Sequence, residues 1–384
     1  MRWSWKLGEV AGIGIYVHWT FLILIGWIAM ADLAAGEPAG EAIKGIGFVL
    51  ALFGCIVLHE LGHALTAKRF GVRTQDITLL PIGGLARLER IPENPVQEFW
   101  IAVAGPAVNV AIAGILAALL FVAGRTFGRW ESIPTHGDFF VQLMYVNVAL
   151  VVFNMIPAFP MDGGRVLRAV LAHFSGDYVA ATQTAASIGQ ALAIMFGFLG
   201  LLFGNLMLMF IALFVFVVAQ EEAHSVQMRA ALKGVPVRHA MMTRVRALKP
   251  DDTLETAVQE LLAGAQQDFP VVVDGAVAGL LLRGDVMRAL AEGGAEQRVG
   301  NVMQQECATV EDTEMLASTF QRMRESNCGS LPVVRSGQFV GMITLENVGE
   351  LLMVDSALRE RRGRSPAESV PQAKSTRHPA ALAA

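Results

Sequence analysis

Cysteine is scarce in this chain: only Cys55, Cys307 and Cys328 occur among its 384 residues. Three cysteines so far apart cannot form the framework of a disulfide-rich secreted domain, and they lack the close spacing of a cysteine-based zinc site. Cys55 lies in an apolar run, where we expect it to be a small buried side chain. A metal site in this chain must therefore use other residues.

Charge is also scarce, but only in the first part of the chain. Residues 1–222 contain 12 Lys and Arg and 15 Asp and Glu, whereas the remaining 162 residues contain 18 and 19. The net charge is -4 and no basic stripe is present, so the sequence has no signature of nucleic-acid binding. Hydrophobic residues make up 54% of the chain, and the mean hydropathy of +0.48 exceeds that of ordinary soluble proteins. The pattern predicts a membrane domain over residues 1–222, followed by a soluble part.

Long apolar runs are abundant in the first part. A membrane helix needs roughly 20 mostly apolar residues, and six runs approach this length. The first resembles a signal peptide, but its leading segment is long and weakly basic and more spans follow, so we expect it to be retained. The predicted spans are 15–35, 45–66, 99–123, 139–157, 181–200 and 205–221. The sequence thus predicts a polytopic α-helical membrane protein.

Positive charge predicts the orientation of these spans. Only Lys44, Arg125 and Arg129 lie on one side of the predicted membrane. The other side has Arg2, Lys6, Lys68, Arg69, Arg73, Arg87, Arg90, Arg165 and Arg168. This bias places both termini, the soluble part and the final turns of the second span on the cytoplasmic side of the cell membrane.

The second span ends in the sequence LHELGH, which follows thirteen uncharged residues. On a helix, residues four apart project from the same face, so His59 and His63 can both present an imidazole nitrogen to one zinc ion. Glu60 lies about 100° around the helix from His59 and is suited to accept a proton from the attacking water. Ionisable groups inside a span are costly and usually functional. The motif therefore predicts a catalytic zinc site, and not histidines buried for packing.

A catalytic zinc site needs a third protein ligand. Thr66 and Arg69 stand where a metzincin extension would require Gly and His, and Glu89 and Glu93 lie in a proline-flanked loop. A better candidate is Asp162 in NMIPAFPMDGGRVLRAV, residues 154–170, where a span ends and the broken backbone must line a cavity or be buried in protein. The alternative role of Asp162 is an ordinary helix N-cap.

Together, HELGH in one span and N-x-x-P…DGG in a later one resemble the site-2 protease family of intramembrane zinc metalloproteases. The resemblance covers most of residues 1–222. It implies that His59, His63 and Asp162 hold zinc, and that Glu60 is the catalytic acid and base. It further implies that the amide of Asn154 steadies the substrate or oxyanion.

Two other segments near the predicted site have open roles. DITLLPIGGLARLE, residues 76–89, reads as two short strand-like runs around Pro81 and a Gly-Gly pair. It is either a membrane-edge hairpin that pairs with an extended substrate or a plain cytoplasmic loop. AVAGPAVNVAIAG, residues 102–114, is rich in small residues, which favours close helix packing; Asn109 within it is also placed to reach toward the site.

The soluble part contains an internal repeat with a period of 62 residues. FPVVVDGAVAGLLLRGDVMRAL (269–290) aligns with LPVVRSGQFVGMITLENVGELL (331–352), matching Gly275 to Gly337. Each unit is predicted to contain a helix, a two-stranded hairpin and a second helix. The repeat resembles a tandem pair of cystathionine-β-synthase-type (CBS) domains, whose clefts often bind adenine nucleotides.

The nucleotide signature of the repeat is incomplete. A hydroxyl residue followed by an acid three positions later becomes Leu282 and Asp285 in the first unit, and Thr344 and Asn347 in the second. Asp285 retains the carboxylate suited to ribose, and Thr344 retains the hydroxyl suited to phosphate. An adenine nucleotide is the expected ligand, and a structural role or dimerisation into a homo-oligomer is the alternative.

The predicted organisation is a membrane protease domain (1–222), a linker (223–234), two CBS domains (235–291 and 292–354) and a polar, disordered tail (355–384). The predicted function is a zinc endopeptidase of the cell membrane that cleaves a membrane-spanning protein substrate in the lipid bilayer, with the CBS pair regulating it. One rival is a transporter or channel with a regulatory CBS pair, which would have no use for Glu60 beside two histidines. The other is a catalytically silent relative, against which the intact Glu60 argues.

Overall fold

The computed structural model describes residues 3–34, 36, 38–81, 83–89, 92–124, 138–264, 266–325 and 328–364. The chain divides into two compact units, the first ending at Gln227 and the second beginning at Met228. Arg125, Arg129 and residues 365–384 of the predicted tail lie outside the described residues.

The first unit combines a small sheet with helices. Its elements are β1 (Ser4–Val10), β2 (Ile13–His18), α1 (Thr20–Ala34), α2 (Ala39–Arg69), β3 (Thr74–Leu80), β4 (Gly83–Leu88), α3 (Pro95–Val122), α4 (Phe139–Asn154), α5 (Asp162–Ser175), α6 (Tyr178–Leu202) and α7 (Leu206–Leu232). The last residues of α7, from Met228 onward, belong to the second unit. Four of these helices, α2, α3, α6 and α7, are long and apolar enough to cross a membrane. The helices α1 and α4 are shorter, with 15 and 16 residues. The four long helices and the two shorter ones overlap the six apolar runs.

Local sequence signals start and stop several of these helices. Asn94 caps α3 by accepting hydrogen bonds from the backbone N–H of Val96 and Gln97, and Pro95 follows at the first helical position, where its missing N–H costs nothing. Asp177 caps α6 in the same way. The helix α5 ends at Gly176, whose φ of 70° is a left-handed conformation that glycine adopts readily.

The four strands form one sheet in the order β1-β2-β3-β4. β1 pairs with β2 and β3 with β4 in antiparallel fashion, whereas β2 and β3 are parallel. The connection between the parallel strands contains α1 and α2. The sheet packs on α2 through a buried cluster that includes Ile13, Leu61 and Ile77. The hairpin predicted over residues 76–89 is thus confirmed, as part of a larger sheet.

An ion pair links the two strands of this hairpin near its open end. Asp76 on β3 accepts hydrogen bonds from the guanidinium of Arg87 on β4, with 2.9 Å between Arg87 Nε and Asp76 Oδ1. These hydrogen bonds raise the pKa of the Arg87 guanidinium. The pair joins directly opposed residues of the ladder, which is the arrangement in which opposite charges stabilise a sheet.

A buried cluster of charges joins three helices of the first unit. Arg168 on α5 is 1% exposed and donates hydrogen bonds to Glu98 on α3 and Glu222 on α7. Its guanidinium also lies 4.9 Å from the ring centroid of Phe159 and 5.0 Å from that of Tyr178. Because buried charges need partners, this cluster fixes α5 against its neighbours.

The second unit contains two similar halves. The first half has a 3-10 turn (Val237–His239), α8 (Leu254–Ala263), β5 (Phe269–Val273), β6 (Ala276–Leu281) and α9 (Arg283–Gly293). The second half has α10 (Val299–Val302), β7 (Val310–Glu311), α11 (Leu316–Glu325), β8 (Ser330–Arg335), β9 (Gln338–Thr344) and α12 (Leu345–Arg364). The helix, hairpin and second helix predicted for each repeat are confirmed.

The two hairpins of the repeat share one turn geometry. Asp274 and Gly275 have φ angles of 49° and 81°, and Ser336 and Gly337 have φ angles of 51° and 80°. Two successive positive φ angles are typical of the type I′ turn, in which glycine is favoured at the second position. This requirement explains why the aligned glycines recur in both units.

The boundary of the first predicted span is wrong. The span does not begin at residue 15, because residues 13–18 form β2; the run IGIYVH is rich in the β-branched and aromatic residues of strands. The helix α7 continues to Leu232, into the predicted linker 223–234. The helix α12 continues to Arg364, past the predicted start of the tail at residue 355; SALRER consists mostly of good helix formers.

Candidate metal centre

Three side chains from two helices converge on one point. His59 and His63 lie on α2, and Asp162 is the first residue of α5. The Nε2 atoms of the two histidines are 3.0 Å apart, and each lies 3.2 Å from Oδ2 of Asp162. All three residues are buried, and they form a group that could hold a metal ion.

The protonation of the two imidazoles can be read from their outer hydrogen bonds. Nδ1 of His63 is 2.6 Å from the main-chain oxygen of Ile101, and Nδ1 of His59 is 2.6 Å from Oδ1 of Asn109. Carbonyl oxygens only accept hydrogen bonds, so Nδ1 carries the proton in both rings. Both Nε2 atoms therefore direct lone pairs toward the carboxylate of Asp162, an arrangement that calls for a cation between them.

The donor set fits zinc. Metal–ligand distances of about 2.0–2.1 Å in a tetrahedral site place neighbouring donor atoms about 3.3 Å apart, close to the three separations found here. Two imidazole nitrogens and one carboxylate oxygen are ligands that zinc accepts in catalytic sites, where a fourth position stays open. Hydrogen bonds from the outer ring nitrogen are the usual support for such histidines.

Glycines allow the helices to approach closely enough to form the site. A methyl group at Gly105 on α3 would overlap the His63 ring and lie 2.7 Å from Nε2 of His59. At Gly62 on α2, a methyl group would lie 2.8 Å from the main-chain oxygen of Ala104. The small-residue segment 102–114 is therefore a packing surface, and its Asn109 also contacts His59. The sequence left two roles open for this segment, close helix packing and a polar contact toward the site, and the structure shows both.

Asp162 reaches the histidines because the chain turns tightly before α5. The N-cap of α5 is Met161, which makes no side-chain capping bond, so the alternative role of Asp162 as N-cap is excluded. Side chains at Gly163 and Gly164 would collide with the backbone of residues 155–159, at distances of 2.3–2.8 Å. The Gly-Gly pair thus lets the start of α5 lie against the preceding loop and directs Asp162 inward.

Glu60 lies on α2 beside His59 and packs against the hairpin. A methyl group at Gly84 on β4 would lie 2.8 Å from Cγ of Glu60 and 3.2 Å from Cγ2 of Ile56. Gly84 therefore leaves room for the Glu60 side chain between α2 and β4. Asn154 is the last residue of α4, and its Nδ2 donates to the main-chain oxygen of Leu150, 3.0 Å away.

In the second unit, one of the two predicted nucleotide residues lines a large cavity and the other lies outside the lining of that cavity. Thr344 lines a cavity of about 730 Å³ between the two halves, together with Arg244, Arg246 and Asp268. Its hydroxyl donates to Oδ1 of Asn347, 2.8 Å away. Asp285 lies outside this lining, where it accepts from Gln304 at 2.8 Å and pairs with Arg288 at 3.4 Å.

Sequence reasoning missed several residues around the metal centre. Asn147 on α4 is fully buried and contacts Asn109, and a single Asn within the apolar run LMYVNVALVV was a signal that could have found it. The sequence predicts only a packing role for Gly105, as part of the small-residue segment 102–114, and not its contact with the histidines. The main-chain oxygen of Ile101 leaves no mark in a sequence, because any residue supplies one.

Comparisons with known proteins show the families to which the two parts of the chain are similar. The family model of peptidase family M50 matches residues 47–135 and 130–198, and the CBS domain model matches residues 237–292 and 299–353. A zinc metalloprotease of Methanocaldococcus jannaschii is 31% identical over 349 residues, which cover 91% of this chain and 96% of the relative. Rip3 of Mycobacterium tuberculosis is 30% identical over 376 residues, covering 92% of this chain and 94% of the relative.

A solved structure gives a further likeness. The site-2 protease from Methanocaldococcus jannaschii shares 37% sequence identity with this chain, with a TM-score of 0.41, and covers 58% of this chain and 95% of its own length. Sequence identity over nine-tenths of the chain is the stronger finding. The chain belongs to peptidase family M50, the site-2 protease type of zinc metalloprotease, and carries a tandem pair of CBS domains.

Proposed function

We propose that this metalloprotease hydrolyses a peptide bond within or near a transmembrane segment of another membrane protein. The observation that carries the proposal is the position of the histidines: His59 and His63 lie within α2, a helix of 31 residues that is apolar enough to span a bilayer. A catalytic group at membrane depth serves a substrate that is itself in the membrane. Such a substrate is protected, because its backbone groups are paired and water is scarce around it.

His59, His63 and Asp162 are the proposed zinc ligands, and Glu60 is the proposed catalytic acid and base. Zinc, when bound, lowers the pKa of a water molecule and polarises the scissile carbonyl. Glu60 accepts the proton of the attacking water on its carboxylate and returns it to the leaving amine. The amide of Asn154 donates to the carbonyl oxygen of the substrate as negative charge develops there.

The edge of β4 is the proposed docking line for the substrate. β4 is an outer strand of the sheet, so one side of its backbone is free of strand pairing. An extended segment that added to this edge would form main-chain hydrogen bonds. The contact between Gly84 and Glu60 supports this site, because it brings the edge strand beside the catalytic carboxylate. Strand addition would also unwind the substrate helix.

The site is proposed to face the cytoplasmic side of the cell membrane. The parallel pairing of β2 with β3 supports an even number of passages between them, made by α1 and α2. This topology returns the chain to the side on which it started. Positively charged Lys68 and Arg69 end α2 on that side, and Arg73 follows the helix, as expected for cytoplasmic segments.

The CBS pair is proposed to regulate cleavage by binding an adenine nucleotide. The cavity of about 730 Å³ is large enough for such a ligand and has Arg244 and Arg246 in its lining. Guanidinium groups suit phosphate oxygens, and Thr344 lies in the same lining. Asp285 is assigned to a separate surface. The alternative proposal is that two copies of the chain pair through their CBS domains, and that this pairing regulates cleavage.

The test uses the full-length protein in detergent, with zinc content and cleavage of a membrane-spanning peptide measured for each variant. Wild type is expected to hold one zinc per chain and to cleave. Glu60→Gln keeps the zinc and loses cleavage by about 10²–10⁴-fold, whereas Asp162→Ala loses both. Glu221→Gln, which changes an exposed carboxylate, is the matched control and behaves as wild type. Wild-type protein without zinc, or full activity in Glu60→Gln, contradicts the proposal.

A further inference from the structure

A chain of hydrogen bonds connects His59 with α4 through two buried amides. Nδ1 of His59 is 2.6 Å from Oδ1 of Asn109, and Nδ2 of Asn109 donates to Oδ1 of Asn147 at 2.9 Å. Nδ2 of Asn147 in turn donates to the main-chain oxygen of Leu143 at 2.8 Å. Asn109 and Asn147 are both fully buried, and neither belongs to the three-residue group that could hold the metal.

The main-chain oxygen of Leu143, at the end of this series of hydrogen bonds, determines which atom donates in each of them. The main-chain oxygen of Leu143 only accepts, so the amide nitrogen of Asn147 must point to it. This leaves Oδ1 of Asn147 facing α3, where it requires a donor. Asn109 must therefore present Nδ2 to Asn147, and its remaining oxygen faces His59.

We infer that Asn147 is a positioning residue of the proposed zinc site, acting through Asn109 to hold the proton of His59 on Nδ1. With that proton on Nδ1, the lone pair of Nε2 is available to the metal. If the amide of Asn109 were reversed, its NH₂ group would face Nδ1. The proton of the neutral ring would then sit on Nε2, where it blocks ligation.

His63 shows the same requirement met by a shorter route. Its Nδ1 bonds directly to the main-chain oxygen of Ile101, a group that cannot be reversed. His59 meets a side-chain amide instead, and an amide can present either end. Asn147 supplies the constraint that Asn109 alone lacks. The two histidines thereby reach the same tautomer.

Helix packing is the rival role for Asn147, because polar side chains also hold membrane helices together. The two roles differ in what happens when Asn109 is replaced by Asp. A carboxylate has only acceptor oxygens, so it receives the His59 proton whichever way it turns. In the Asn109→Asp protein, Asn147 is no longer needed to orient the group that faces His59. Any contribution of Asn147 to helix packing is unchanged.

The experiment measures zinc affinity of the full-length protein in detergent by competition with a chelator. Asn147→Leu is introduced into wild type and into Asn109→Asp. We expect affinity to fall about tenfold in wild type and less than about twofold in Asn109→Asp. An equal loss in both backgrounds, or no loss in wild type, overturns the inference.

Three further measurements keep the outcome unambiguous. Asn147→Asp retains an oxygen that accepts from Asn109 but loses the donor to Leu143, so its affinity is expected to lie between those of wild type and Asn147→Leu; a loss greater than that of Asn147→Leu in a folded protein overturns the inference. Thr182→Val removes another fully buried polar group, on α6, and should leave zinc affinity unchanged. Thermal unfolding of the metal-free variants reports on folding separately. If wild type itself binds no zinc, the proposed metal site fails as well, whereas normal binding that ignores Asn147 rejects this inference alone.

Discussion

Gly105 on α3 packs directly against the imidazole of His63 on α2, with no room between them for a side chain. The hydrogen bond from His63 to the main-chain oxygen of Ile101 lies one turn away on the same helix. A single segment of α3 thus both supports the ring and limits how far it can tilt. The contact leaves no space for a side chain at position 105.

Gly105→Ala is expected to weaken zinc binding by about 10–100-fold, because the added methyl group displaces the Nε2 atoms of His63 and His59. Zinc content after dialysis and chelator competition measure the effect. Gly114→Ala, on the same helix, is the matched control, since a methyl group there meets nothing within 4 Å. Equal zinc affinity in the two variants contradicts the prediction.

Gly84→Ala separates catalysis from metal binding. The added methyl group pushes against Cγ of Glu60, so the carboxylate moves while the ligands stay in place. We expect zinc content to be unchanged and cleavage to fall by about 10²-fold. Gly8→Ala, on β1 of the same sheet and with nothing within 4 Å, should cleave normally. A loss of zinc in Gly84→Ala would show that the hairpin supports the ligands instead.

Arg168→Met tests the buried charge cluster. Removing the guanidinium leaves Glu98 and Glu222 without their partner, and an uncompensated buried charge costs about 3–5 kcal/mol. Thermal unfolding in detergent should occur at a markedly lower temperature. Because Arg168 lies on the helix that begins with Asp162, weaker zinc binding is expected too. Arg229→Met, at an exposed position, is the control, and equal unfolding temperatures would refute the prediction.

Nucleotide binding to the CBS pair is expected to depend on Arg244 and not on Asp285. Arg244 lines the cavity of about 730 Å³, and Asp285 lies outside its lining. Loss of a charge-assisted contact to phosphate should weaken ATP or AMP binding about tenfold in Arg244→Ala. Asp285→Asn should bind as wild type in titration calorimetry. The reverse order of effects would move the nucleotide to the Asp285 surface.

Sequence periodicity was sufficient where a role follows from local spacing. His59 and His63 share a helix face because they are four residues apart, and the hairpin turns of the repeat follow from glycines that allow positive φ. Asp162 could be proposed as a third ligand from the broken helix around it and from the resemblance, but not from spacing, since 99 residues separate it from His63. No local rule connects two helix ends across such a distance.

The errors and omissions have a common cause in tertiary contacts. Residues 15–18 fall within the first predicted span, but they pair with β1 and β3 and form part of a strand. The role of Gly105 depends on which helix lies opposite it. The direction of the Asn109 amide depends on Asn147, which belongs to another helix. These features arise from neighbours that the local sequence does not identify.

The distance in sequence between Asp162 and the histidines also affects the biogenesis of the protein. The chain emerges from the ribosome with His59, Glu60 and His63 long before Asp162 is synthesised. Until α5 is made and packed on α2, only two of the three proposed zinc ligands are in place. In the proposed mechanism, the protease therefore becomes active only after α5 has packed on α2.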